Sequence, residues 1–152
     1  MDLLKDEYII VEIIPTHPDP KKGDIAQISA LKLKGINLVE RFDYRLNDID
    51  NIDVLRMIQY DKNNFKYLDS TKDILAKWND FSLNYPIIIF EDNYTNRYLT
   101  NKNKELIFPY LNMNPSSDFF DKLKEKYNLE DSNYLVDLIY EAIIMEGNNK
   151  GE

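Results

Sequence analysis

Residues Tyr8 to Ile14, reading YIIVEII, constrain the fold of this chain more than any other stretch. The run is β-branched and apolar at both odd and even positions, and a strand apolar on both faces has to be covered on both sides. It therefore reads as a central strand. One residue breaks the pattern: Glu12 sets a carboxylate late in that strand. Such an acid is either a solvated or hydrogen-bonded group near a strand end or a ligand position facing a cleft, and the strand alone leaves both open.

The segments that follow tell what the strand is built into. Ile25 to Lys34 (IAQISALKLK) alternates apolar and polar residues, with Ile28, Ala30 or Leu31, and Leu33 expected inward. Gly35-Ile36-Asn37 then turns the chain into LVERFDYRL, which predicts a hairpin. The stretch from Asn51 to Phe65 predicts two short helical turns. Ser70 caps a helix running to Phe81, with Asp73 at the capping-box position and Ile74, Leu75, Trp78 and Phe81 at helical spacing. YPIIIF, Tyr85 to Phe90, predicts a short buried strand in a parallel, central position, and EDNYTNRYL after it begins a helix. Two more helices are predicted. One is Ser116 to Tyr127, with a stripe of Phe119, Phe120, Leu123 and Tyr127. The other is Ser132 to about Met145, with Leu135, Leu138, Ile139, Ala142 and Ile143 repeating. This order predicts an α/β fold with a mixed sheet, an N-terminal three-strand meander and flanking helices. Residues 1–147 read as one domain and residues 148–152 as a frayed C-terminal tail.

Composition narrows the chemistry. Hydrophobic residues make up 43% of the 152, enough for a core, and the absence of cysteine removes disulfides, thiolate catalysis and Cys-based metal sites. The formal net charge of -8, from 27 acids against 19 bases, disfavours phosphate backbones, and no basic stripe offsets it. No apolar run approaches membrane-spanning length, so no membrane partner is expected. MDLLKDEY at the start does not read as a secretory leader, which makes the cytoplasm the expected location. The 11 Tyr and 7 Phe fall mostly at core spacing, so they read as packing rather than as base-stacking platforms. His17, the single histidine, reads as a loop residue.

The opening stretch resembles the DEDD-type 3′–5′ exonucleases, which have a ribonuclease-H-like fold and include the proofreading subunits of replicative polymerases. Their first motif is an apolar strand ending Asp-x-Glu-Thr-Thr-Gly, then a loop often reading Asp-Pro and a strand like Ile-x-x-Ile-Gly-Ala. VEIIPTHPDPKKGDIAQISALKL is similar without a gap: Glu12 stands for the Asp, Ile14 for the Glu, Asp19-Pro20 on the loop, and Ile25, Ile28, Ser29 and Ala30 on the second strand. LVERFDYRL resembles the third strand, often Val-x-Arg-Phe. FEDNYTNRYL, Phe90 to Leu99, resembles the second motif, with Thr95 where the catalytic Asp belongs. SNYLVD, Ser132 to Asp137, resembles the last, with Asp137 as the acid and Ser132 in place of the general-base His.

That resemblance implies the fold and, by its gaps, the loss of the chemistry. The family holds two metal ions on four acids, and two-metal hydrolysis needs cations about 4 Å apart bridging attacking and leaving oxygens. Ile14 offers no lone pair, Thr95 a neutral hydroxyl, and Ser132 no base near neutral pH. Glu12 and Asp137 remain as vestigial metal positions. Asp137 otherwise reads as a solvated helix acid, and Ser132 as an N-cap. The implied function is a catalytically degenerate exonuclease-like domain, not an enzyme and without a cofactor. It would act as a protein-binding or regulatory module in a nucleic-acid-related process. The alternative is an active metal-dependent 3′–5′ exonuclease on DNA or RNA, using Mg or Mn, with Glu91, Asp92 or Asp118 completing the ligand set. A third reading, a nucleic-acid-end binder without cleavage, is disfavoured by the acidic balance.

Overall fold

The computed structural model of the chain describes residues 1–58, 65–90, 93–130 and 134–150. In chain order the elements are β1 (Glu7–Pro15), β2 (Ile25–Lys34), β3 (Asn37–Leu46), α1 (Ile52–Ile58), β4 (Lys66–Leu68) and α2 (Thr71–Phe81). Then follow β5 (Ile87–Ile89), α3 (Asn93–Tyr98), β6 (Lys104–Leu106), α4 (Phe108–Leu111), α5 (Phe119–Tyr127) and α6 (Leu135–Lys150). Among the described residues the strands make one six-stranded sheet in the order β4-β3-β2-β1-β5-β6. β1, β2 and β3 form the expected antiparallel meander, while β5 runs parallel to both β1 and β6, and β4 parallel to β3. This is a mixed α/β fold with the sheet flanked by helices.

β1 is interior, and its two parities feed two separate cores. Tyr8 and Ile10 pack with Leu31, Leu33 and the helices α4, α5 and α6. Ile9, Val11 and Ile13 pack with Ile28, Ala30, Phe42 and the residues Ile74, Trp78 and Leu99 on the other side. Period-two geometry sends alternate side chains to opposite faces, which is why a run apolar at every position ends up between two helical layers. It also explains why β2 buries Ile28, Ala30, Leu31 and Leu33 together, on opposite faces. The β2–β3 turn depends on Gly35, at φ +58, where an added Cβ would lie 2.5 Å from the Leu4 carbonyl oxygen.

Ser70 caps α2, its Oγ accepting from the Asp73 amide at 3.1 Å. Elsewhere the structure corrects the sequence reading. α1 gives one helical turn set, Ile52 to Ile58, and the remainder of that predicted segment to Asn64 lies outside the described residues. The strands β4 and β6, three residues each, were not anticipated, nor was α4. α5 starts at Phe119 rather than Ser116, because Ser116 Oγ instead donates to Asp118 Oδ1 at 2.6 Å ahead of the first turn. Phe119, Leu123 and Tyr127 are buried as expected, but Phe120 faces outward. α6 carries on past Met145 through Gly147 to Lys150, so residues 148–150 of the expected frayed tail are helical. Among the described residues no helix is long and apolar enough to cross a membrane.

Candidate functional site

The strand register brings a row of polar side chains onto one face. Glu12 lies opposite Ser29, and Ser29 opposite Asp43, so the three line up across β1, β2 and β3. The next pairs on the same face are Ile10–Leu31–Arg41 on one side and Ile14–Gln27–Arg45 on the other. The face is therefore apolar at Ile10 and Leu31, with Arg41 at the β3 side of that row, and is polar across Glu12, Ser29 and Asp43. Glu12 is half-buried, and Ser29, 2% exposed, donates its hydroxyl to Asp43 Oδ1 at 2.6 Å.

Arg41 organises this row. Its Nε donates to Asp43 Oδ2 at 2.9 Å, and its Nη1 and Nη2 donate to Asp137 Oδ1 and Oδ2 at 2.7 and 3.3 Å. One guanidinium thus ties β3 to the first turn of α6, engaging both oxygens of Asp137 in the two-pronged geometry suited to a carboxylate. Burial works to lower the Arg41 pKa, but the hydrogen bonds and charges of Asp137 and Asp43 outweigh it and hold it above its ordinary value. The expected solvated Asp137 is instead an ion-paired residue. Arg45, two positions on, is buried. It donates Nε to Gln27 Oε1 at 2.8 Å and Nη2 to the Ile58 carbonyl at 2.9 Å, with its guanidinium over the Phe65 ring. These arginines are the site residues that sequence reasoning did not assign. Their signal was the alternation Arg41, Asp43, Arg45 along one strand face.

The other expected positions separate. Ile14 sits half-buried at the end of β1. Thr95, fully buried on α3, turns its Oγ1 to accept from the Ile13 amide at 3.2 Å. Pairing of β1 with β5 ends at Ile10, so the helix supplies the acceptor that a neighbouring strand does not. Asp118 is exposed, held by Ser116 and Lys122, and its pKa falls below the usual carboxylate value chiefly through the Ser116 hydrogen bond. Ser132, Glu91 and Asp92 lie outside the described residues. Among the described residues no three acid or histidine side chains come together as a metal ligand set. With Asp137 taken up by Arg41, Ile14 lacking a lone pair and the Thr95 hydroxyl committed to the backbone, these side chains do not fit a pair of divalent ions.

His17 rims the same end of β1. Its Nδ1 accepts from the Asp19 amide at 2.9 Å, and its carbonyl accepts from the Tyr98 hydroxyl at 2.7 Å. Burial and the charges of Asp24 and Asp19 raise the Tyr98 pKa, so the phenol keeps the proton it donates. The loop is closed by Gly23, where a Cβ would meet His17 Cβ at 2.5 Å and the Tyr98 hydroxyl at 2.7 Å. Beside it opens a groove of about 330 Å³, walled by Glu12, Ile14, His17, Phe90, Tyr94 and Phe120. A larger hollow of about 580 Å³, between Leu4, Tyr110, Ile143 and Gly147, lies away from the polar row.

No family model and no curated protein matches this chain. Among solved structures it is similar to the crystal structure of a full-length 3′-exonuclease, at a TM-score of 0.62 and 12% identity, over 97% of this chain and 83% of that one. At such identity the likeness speaks for the fold, which is exonuclease-like.

Proposed function

We propose that this chain keeps an exonuclease-like fold without the hydrolysis, and works as a protein-binding or regulatory module in a nucleic-acid-related process. The observation that carries this is the Arg41 guanidinium lodged between Asp43 and Asp137. Of the two acids at positions resembling the family's, Glu12 is a longer substitute and Asp137 keeps the residue type, and the Asp137 oxygens are engaged by a cation belonging to the chain itself. Glu12 alone cannot neutralise two closely spaced divalent ions. The acid surface, net -8, points to a partner other than a phosphate backbone. No cofactor is needed for this role.

The test is incubation with end-labelled single-stranded DNA and RNA in Mg²⁺ or Mn²⁺. The expected result is full-length strands at every time point. Shortening that disappears in Glu12→Ala and Asp137→Ala overturns the proposal and assigns hydrolysis to this cleft.

A further inference from the structure

We infer that the open edge of β3 takes up an extended segment of a partner protein as an added strand, with an acidic side chain of that segment meeting Lys66 and Lys77. This rests on the protein-binding role proposed above and names the surface and the chemistry of the partner. β3 spans 10 residues, yet β4 pairs only with Tyr44, Arg45 and Leu46. At the other end β2 matches Lys32 with Glu40 and Leu33 with Leu38, so Val39 is the extra residue of a bulge. Between the two, Glu40 to Asp43 is a regular stretch of edge. The Asn47 amide donates to the Leu68 carbonyl on β4 at 2.9 Å, and counting back in twos turns the N–H and C=O of Arg41 and Asp43 to that same side. Among the described residues nothing pairs with these groups there. Beside them a hollow of about 220 Å³ runs along Glu40 to Tyr44 and ends against Lys66, the first residue of β4. Open space in line with β4, beside outward donors and acceptors, is what strand addition uses.

Charge selects the segment. Phe42 and Tyr44 face α2, and a second hollow on that side, about 370 Å³, is bounded by Lys32 and Lys77 as well as by Glu40 and Asp80. Lys66 Nζ lies 5.9 Å and Lys77 Nζ 6.0 Å from the Tyr44 ring centre, and among the described residues neither ammonium has an acid at ion-pair distance. A side chain opposite Phe42 on the added strand projects to this face, between Glu40 and Tyr44. Around it stand Lys32, Lys66 and Lys77 against Glu40 and Asp80, so a carboxylate is favoured there over an ammonium. A phosphate backbone would meet the same lysines, but it has no N–H to give the outward carbonyls of Arg41 and Asp43.

The probes are acetyl-Val-Thr-Glu-Thr-Val-amide, its Gln counterpart, the Glu peptide N-methylated on its Thr, Glu and Thr residues, and a short thymidylate oligonucleotide in EDTA. Each is followed by heteronuclear NMR of the full chain in about 150 mM salt, where charge acts only near the edge. The Glu peptide is expected to give saturable shifts at residues 40–44 and 66. It should also slow hydrogen exchange of the Arg41 and Asp43 amides while leaving Phe42 as it was. The Gln peptide should bind roughly threefold weaker, and the N-methylated peptide not at all. Lys66→Gln and Lys77→Gln should each weaken the Glu peptide about two- to fourfold, and Glu40→Gln should strengthen it by a similar factor. None should lower the melting temperature, because all three side chains are exposed. Equal binding of the Glu and Gln peptides, undiminished binding after N-methylation, shifts confined to other surfaces, or tighter binding of the oligonucleotide at this edge overturns the inference. Shifts at residues 40–43 that grow with protein concentration in the chain alone would give the edge to a second copy, and overturn it too. Strand shortening in the nuclease assay would instead remove the non-hydrolytic reading and leave the edge untouched, so the two failures are told apart.

Discussion

Replacing Arg41 by Met removes three hydrogen bonds, one to Asp43 and two to Asp137. Hydrogen bonds to charged groups contribute about 1.5–3 kcal/mol when enclosed. Here the side chains of Arg41, Asp137 and Asp43 keep 34%, 24% and 15% of their exposure, so solvent screening pulls each ion pair toward about 1 kcal/mol. The two-pronged contact with Asp137 acts in the other direction. Removal also leaves two carboxylates facing a missing cation. A cost of about 1.5–3 kcal/mol follows, or roughly 3–10 °C in melting temperature for a chain of this size. The sharper measurement is a double-mutant cycle in urea with Arg41→Met and Asp137→Asn, which isolates the pair from whatever else each change disturbs. A coupling of about 1–2 kcal/mol, shrinking in high salt, is expected. A coupling below about 0.3 kcal/mol would mean that the two side chains act independently, and that Asp137 is the solvated acid its helix position first implies.

Thr95→Val should cost about 1–3 kcal/mol in urea unfolding by leaving the buried Ile13 amide without its acceptor; a change of a few tenths would contradict that role. Gly23→Ala forces a Cβ against His17 and Tyr98, and should lower stability by about 1–3 kcal/mol while shifting NMR signals of residues 16–24; an unchanged spectrum would show that the loop yields freely. Burial is the main cause raising the pKa of Tyr8 and Tyr127 above the ordinary 10.0, aided for Tyr127 by its hydrogen bond to Glu146. The folded chain therefore holds phenol protons that the unfolded chain loses. Their stabilisation is complete below pH 10.0 and declines as pH rises above it. Urea titrations from about pH 8 to about pH 11 should show that decline in the parent and a shallower one in Tyr127→Phe; parallel slopes would contradict it.

The elements that sequence exposes are those whose own residues carry the period. Tyr8 to Ile14 is apolar on both parities, and its place between two cores follows directly. Ser70, Ile74 and Trp78 announce α2 in the same way. β4 and β6 are three residues long at the sheet's edges, too short for a period and mostly exposed, so nothing local marks them. The site is harder still. Arg41 and Asp137 are 96 residues apart, one on a strand and one on a helix, and only the packing of α6 over the sheet joins them. A matched position gave Thr95 its place but not its direction, because the pull on its hydroxyl comes from the Ile13 amide beyond the end of β5. Phe120 shows the reverse error. Helical spacing places it in a stripe with Phe119 and Leu123, but it lies about 100° round the helix from Phe119, at the stripe's edge, where its ring meets Phe90 and Phe119 and its far side stays in solvent.

Manganese binding, followed by electron paramagnetic resonance, puts the decisive question to the cleft. With Asp137 held by Arg41, the signal during titration should remain that of free ion, with no spin-coupled pair, in the parent chain and in Glu12→Ala alike. Two coupled ions bound tightly to the parent, and lost in Glu12→Ala and in Asp137→Ala, would show that the carboxylates serve metal and that Arg41 gives way to it.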